Sequence, residues 1–146
     1  DFGMQNGPFI SPDMFEEMVA PWYKKRIGQV KSMCNALFFH HSCGSVYKLL
    51  PHIIDMGVDI LNPIQPGTAD MEPEKLKGEF GDKLVFWGGI DEQNLLSKAT
   101  VEEVKKEVRR VSDILSENGG YILASSHNVQ PDVPVENIDA MLTAFR

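Results

Sequence analysis

Leu84-Val85-Phe86-Trp87, closed by Gly88-Gly89, is followed by Thr100-Val101-Glu102-Glu103 and then, past Asn118-Gly119-Gly120, by Tyr121-Ile122-Leu123-Ala124. The two apolar runs have the length and the glycine punctuation of buried strands. Between them, Thr100 and Glu103 form a capping box, and Val101, Val104, Val108, Val111 and Leu115 mark one face of the helix it starts. Strand, helix, strand in that order implies a parallel pair joined by a right-handed crossover.

The same alternation extends outward from this unit. Upstream, Ala36-Leu37-Phe38-Phe39-His40 and Val58-Asp59-Ile60-Leu61-Asn62 read as two further strands. Val46, Leu49, Leu50, Ile53 and Ile54 make the apolar stripe of a helix that stops at Gly57, with Pro51 bending its start. A short helix is expected over residues 73–80, and a last one carries Ile138, Met141, Leu142 and Phe145 inward. At the start, Ser11 caps a helix opening at Pro12. Pro21 interrupts it near Ala20, and a second stretch over residues 22–33 turns Tyr23, Ile27 and Val30 inward. The order is one helical region and then βα four times, an α/β chain with parallel strands read as a single domain over residues 1–146. Four such units make either an open sheet or half of an eight-stranded barrel. The first residue is Asp1 rather than Met, inside what reads as a loop, so a piece of a longer protein is expected.

Composition narrows the function classes. With 14 basic against 21 acidic residues the formal charge is −7, which argues against a nucleic-acid partner. No apolar run approaches the roughly 18 residues of a membrane span, and no signal-peptide plan opens the chain; a cytoplasmic protein without a membrane partner is expected. Cys34 and Cys43 suit free thiols or metal ligation better than a disulfide framework. The methionines form no stripe and read as core filler. G-x-G-x-x-G, a phosphate loop and G-x-S-x-G are all missing, so nucleotide and acyl-serine chemistry lose support.

Ligands of parallel α/β folds sit at the C-terminal ends of the strands. Those ends carry His40-His41-Ser42-Cys43-Gly44, then Asn62-Pro63-Ile64-Gln65, then Gly88-Gly89-Ile90-Asp91, and last Ser125-Ser126-His127-Asn128. His41 and Cys43 are two apart, so on an extended strand end both side chains point the same way, as a zinc site with His127 as third ligand would need. The plain alternative is a backbone-bonded histidine beside a small apolar cysteine. His40 points the other way and reads as structural, while Cys34 and His52 read as packing or surface residues. Asn62, Gln65 and Asp91 are candidate substrate contacts. For Asp91 the alternative is a cap on the following turn.

These segments resemble the C-terminal part of the uroporphyrinogen decarboxylase superfamily. The matching stretches are Ile10-Ser11-Pro12 with Met14-Phe15, His41-Ser42-Cys43-Gly44, Gly57 through Gln65, Phe86-Trp87-Gly88-Gly89-Ile90-Asp91, and Gly119 through Ala124 with Val133-Pro134 and Glu136-Asn137. The resemblance implies the last half of a (β/α)8 barrel. It also implies one of two chemistries. Corrinoid-linked members use zinc, held by an H-x-C motif and a later cysteine, to activate a small-molecule thiol for methyl transfer. The decarboxylases remove acetate carboxyls from a tetrapyrrole without a metal. His41-Ser42-Cys43 is similar to the H-x-C motif, whereas His127 stands where the methyltransferases have cysteine and where the decarboxylases have histidine. The expectation is zinc at His41, Cys43 and His127, a corrinoid methyl donor, a corrinoid protein as partner, and His127 as catalytic residue. Uroporphyrinogen III decarboxylation is the alternative, and an inactive half-barrel that pairs into a homodimer through its open edges is the second.

Overall fold

The computed structural model describes residues 1–145. Its centre is a parallel sheet of four strands in sequence order, β3 (Phe39–His41), β4 (Ile60–Ile64), β5 (Val85–Ile90) and β6 (Tyr121–Ser125). A small antiparallel hairpin, β1 (Gly3–Met4) and β2 (Gly7–Pro8), precedes it. The helices are α1 (Pro12–Met18), α2 (Ala20–Met33), α3 (Leu50–Asp55), α4 (Pro73–Phe80), α5 (Val101–Leu115) and α6 (Val135–Ala144). Strands in chain order, each followed by a helical connection, are the α/β half-barrel arrangement that the alternation implies.

Side-chain alternation on the strands divides the molecule into a packed face and an open one. Leu61 and Phe86 are register partners and both are fully buried, together with Val104, Val108 and Leu115 of α5. The other face presents Phe39, Asn62, Trp87 and Ile122, which are exposed or half-buried. Phe39 and Trp87 meet there with ring centroids 5.1 Å apart. The Thr100 capping box is present in both halves: the Thr100 side chain accepts from the Glu103 N–H, and the Glu103 carboxylate accepts from the Thr100 N–H.

Several local expectations are corrected. The first sheet strand begins at Phe39, not at Ala36, and it lies on the sheet edge with only His40 buried. Ahead of it the Phe38 carbonyl accepts from the Asp59 and Ile60 N–H groups, and Leu37 is exposed. The break expected near Ala20 is present, α1 ending at Met18 and α2 opening at Ala20 with Pro21 in its first turn, whereas Pro51 sits in the first turn of α3, where a missing N–H costs nothing, and opens that helix rather than bending it. Val30, Leu142 and Phe145, expected inward, are 47%, 58% and 50% exposed, because α2 and α6 bury narrower stripes centred on Ile27 and on Asn137, Ala140 and Met141. Met4, Met14, Met18 and Met33 are exposed, so only Met56, Met71 and Met141 fill the core. After β5 the chain makes a single π-helical turn, Glu92–Leu96, which apolar periodicity does not announce.

Asp59 fastens the edge strand. Its carboxylate accepts from the Phe38 N–H at 2.6 Å and lies 2.6 Å from the Lys31 ammonium at the end of α2. Partial burial pushes the Asp59 carboxyl up, yet the hydrogen bonds from Lys31 and Phe38 outweigh it and hold the group below its ordinary value. Asp59→Ala should therefore cost about 1–3 kcal/mol at neutral pH. A depressed carboxyl contributes fully above the unfolded value, around pH 4, and loses its contribution as pH falls through the folded value. Thermal melts of both proteins at pH 7 and at pH 3 test this: the gap in Tm narrows at the lower pH. A gap that does not narrow there means the clip is not electrostatic.

Candidate metal centre at the strand ends

The end of β3 carries the cluster. His41 closes the strand on the open face, in register with Asn62 of β4. The two side chains bond at 2.7 Å between His41 Nδ1 and Asn62 Oδ1. An amide oxygen only accepts, so Nδ1 carries the proton and the Nε2 lone pair is free. Nε2 lies 3.5 Å from Cys43 Sγ. Burial pushes the Cys43 thiol up, so without a metal the thiol keeps its proton and donates it toward Nε2.

The loop between them is held from two sides. The N-terminal hairpin sits on the backbone of residues 43–45: the Ser45 N–H donates to the Met4 carbonyl at 2.9 Å, and the Phe2 N–H donates to Ser42 Oγ at 2.8 Å. A Cβ at Gly44, where φ is +75°, would fall 2.7 Å from the Met4 nitrogen, so only glycine allows this approach. From just beyond β4, Gln65 Oε1 accepts from the Gly44 N–H at 2.8 Å. Seating the hairpin here brings Asp1 into the cluster. Its carboxylate accepts from the Cys43 N–H at 3.0 Å and lies 3.7 Å from His41 Nε2. Donor atoms of Asp1, His41 and Cys43 all fall within 4.8 Å of one another.

His127 lies outside that cluster. It is exposed, and it lines a cavity of about 380 Å³ together with His41, Asn62, Trp87 and Ser125. The strand ends thus bring His41, Cys43 and Asn62 together and leave His127 on the wall of the same cavity. Asp91 adopts the capping geometry: its Oδ1 accepts from the Gln93 and Asn94 N–H groups at 2.8 and 3.3 Å. His40, on the opposite face, is buried between Phe2, stacked at 6.0 Å, and Tyr23, and burial pushes its imidazole down toward the neutral form. Asp1 is the residue that sequence reasoning missed, because nothing local joins a side chain at position 1 to one 42 residues on.

A parallel α/β sheet with a thiol, an imidazole and a carboxylate gathered at its C-terminal end is the arrangement of a barrel-derived α/β protein, a class whose active sites lie at that end. The chain belongs to the uroporphyrinogen decarboxylase (URO-D) family, whose model matches residues 2–146. It is 25% identical over 138 residues to the methylcobamide:CoM methyltransferase MtaA of Methanosarcina barkeri strain Fusaro, covering 94% of this chain and 39% of that protein. It is 35% identical over 81 residues to the uroporphyrinogen decarboxylase of Nitratiruptor sp., covering 56% of this chain and 20% of that one. Among solved structures, a methyltransferase from Methanosarcina mazei superposes with a TM-score of 0.73 at 24% identity, over 93% of this chain and 37% of its own. That likeness establishes the fold. The chain spans well under half the length of these relatives. Among the described residues, no helix is long and apolar enough to cross a membrane.

Proposed function

We propose that this chain is the C-terminal part of a zinc-dependent methyltransferase that moves a methyl group from a methylcorrinoid to a small-molecule thiol. One observation carries the reading: Asn62 fixes the His41 ring so that Nε2 faces Cys43 Sγ at 3.5 Å, with the Asp1 carboxylate beside both. The donor set fits zinc, since imidazole, thiolate and carboxylate are its ordinary ligands and three protein donors leave a position for substrate. His41 Nε2 and Cys43 Sγ would hold the metal, with Asp1 as third donor by proximity and His127 on the substrate side of the cavity. When bound, zinc lowers the pKa of a coordinated thiol so that it is thiolate near neutral pH.

The chain's own residues do the rest. Asn62 holds the His41 tautomer, an outer hydrogen bond of the kind that fixes ligand orientation. Phe39 and Trp87, in contact on the open face, give an apolar floor beside the polar cluster for a flat methyl donor. His127, Ser125 and Asn128 edge the cavity and offer polar contacts to the acceptor. Similarity to a methyltransferase along 94% of the chain supports the reading.

The second reading is metal-free decarboxylation of a tetrapyrrole. It is favoured by the higher identity to the Nitratiruptor decarboxylase and by an imidazole, His127, in a cavity suited to a propionate. Elemental analysis of the purified chain, with an assay of thiol methylation from methylcobalamin, separates the two. The methyltransferase reading expects about one zinc per chain and a thioether product. A folded protein without zinc leaves the decarboxylase reading in its place.

A further inference from the structure

The N-terminal hairpin, β1 and β2, lies on two loops at the strand ends and carries Asp1 at its head. It pairs with the loop after β3 through Met4 and Ser45, and the Phe2 N–H donates to Ser42 Oγ. On the loop after β4, the Ala69 N–H donates to the Gln5 carbonyl at 3.0 Å, and Gln5 Nε2 donates to the Gly67 carbonyl at 2.6 Å. The Phe2 ring packs with Phe15, Phe9, His40 and Tyr23, at centroid distances of 5.1, 6.0, 6.0 and 6.2 Å. Together these contacts fix where the hairpin backbone runs.

Gly3 sets how close that backbone comes. A Cβ there would fall 2.6 Å from the Gly44 carbonyl carbon and 2.8 Å from the Ser45 nitrogen, and it would also strike the Cys43 carbonyl oxygen. All three are backbone atoms, so no side chain can turn aside, and the hairpin or the loop has to move. Gly44 makes the reciprocal demand, since a Cβ on it would meet Gly3. Two glycines thus face each other one residue beyond Cys43. Asp1, two residues before Gly3, is exposed, so core packing does not hold its side chain. Its carboxylate touches the cluster itself, at 3.0 Å from the Cys43 N–H and 3.7 Å from His41 Nε2. The seated hairpin holds that carboxylate at high local concentration beside the two donors.

We propose that Gly3 is a positioning residue of the metal centre: its close approach to Gly44 seats the hairpin so that Asp1 reaches a cation held by His41 and Cys43. Hairpin docking and cation binding then stabilise each other by the same amount. The inference rests on the zinc reading. Zinc affinity is measured by competition with a chromophoric chelator for the wild type, His41→Ala, Asp1→Asn, Gly3→Ala and the double variant of Asp1→Asn with Gly3→Ala, alongside amide hydrogen exchange at Ser45. Asp1→Asn and Gly3→Ala should each weaken zinc about 10–100-fold, the range typical of supporting groups around a metal. The double variant should stay within about threefold of the larger single loss, because both changes remove the same contact. Zinc should slow Ser45 exchange in the wild type and not in Asp1→Asn, since the Ser45 N–H donates to Met4 of the docked hairpin. A general loosening of the fold by alanine would produce neither result. Full zinc affinity in a folded Gly3→Ala or in Asp1→Asn, losses that multiply in the double variant, or Ser45 exchange indifferent to zinc overturns this inference alone. A wild type that binds zinc no better than His41→Ala overturns the metal reading and this inference with it. If Gly3→Ala does not fold, Phe2→Ala, which frees the hairpin without a clash, takes its place in the cycle. Failure of both to fold makes the hairpin part of the folding core and ends the proposal.

Discussion

Cys43→Ala is expected to weaken zinc binding by more than about 100-fold, beyond the range typical of outer-sphere losses, and to leave the protein folded. The cysteine is only part-buried at a loop and contributes little to the core, so on the zinc reading its removal takes away a donor atom and little packing. The pH dependence carries the mechanism. Because burial pushes the Cys43 thiol up, the metal-free protein holds that proton at neutral pH, and zinc must displace it. Apparent affinity should therefore rise about tenfold per pH unit between pH 7 and pH 8, and a pH-indicator assay should detect about one proton released per zinc bound. In Cys43→Ala both the slope and the released proton disappear. A wild-type affinity that is flat across this interval means that the thiol is not a ligand.

Phe86→Ala should lower the stability of the fold by about 3–5 kcal/mol, read as a fall in the urea midpoint with little change in slope. Phe86 is fully buried on β5, an interior strand of the sheet, in register with Leu61 on one side and Tyr121 on the other. Truncation leaves a cavity between the sheet and α5 that neighbours in a close-packed core fill only partly. Since domains are stable by only about 5–15 kcal/mol, this single change removes a large share of the total. Trp87, one residue on, faces the open side, so Trp87→Ala serves as the internal control and should cost much less. Equal losses at both positions would mean that the open face is also packed.

The readable parts of the chain are those where local pattern and tertiary environment agree. The α5 face of Val104, Val108, Val111 and Leu115 is buried as its spacing demands, and the Thr100 box caps it. Asp91 was equally readable as anchor or cap, and its two backbone contacts show the capping geometry. Apolar spacing misled wherever a helix or strand lacked a neighbour on one side. Val30, Leu142 and Leu37 are apolar, but among the described residues no element covers them, and hydrophobicity alone does not tell an inward position from an uncovered one. The π-helical turn was invisible because no apolar period marks it, and it is this turn that buries Glu92.

What the sequence determined by itself is the alternation of strands and helices, their order and hence the parallel sheet, together with the placement of His41 and Cys43 at a strand end. These follow from short-range rules: side-chain period, capping, and glycine or proline at the boundaries. Only the tertiary structure decided which residues meet there. Asn62 reaches His41 because β4 lies in register beside β3, and Asp1 reaches Cys43 because the N-terminal hairpin docks on a backbone that glycine keeps bare. Such contacts join positions far apart in the chain. They depend on how strands pair and how loops close, which no local periodicity encodes.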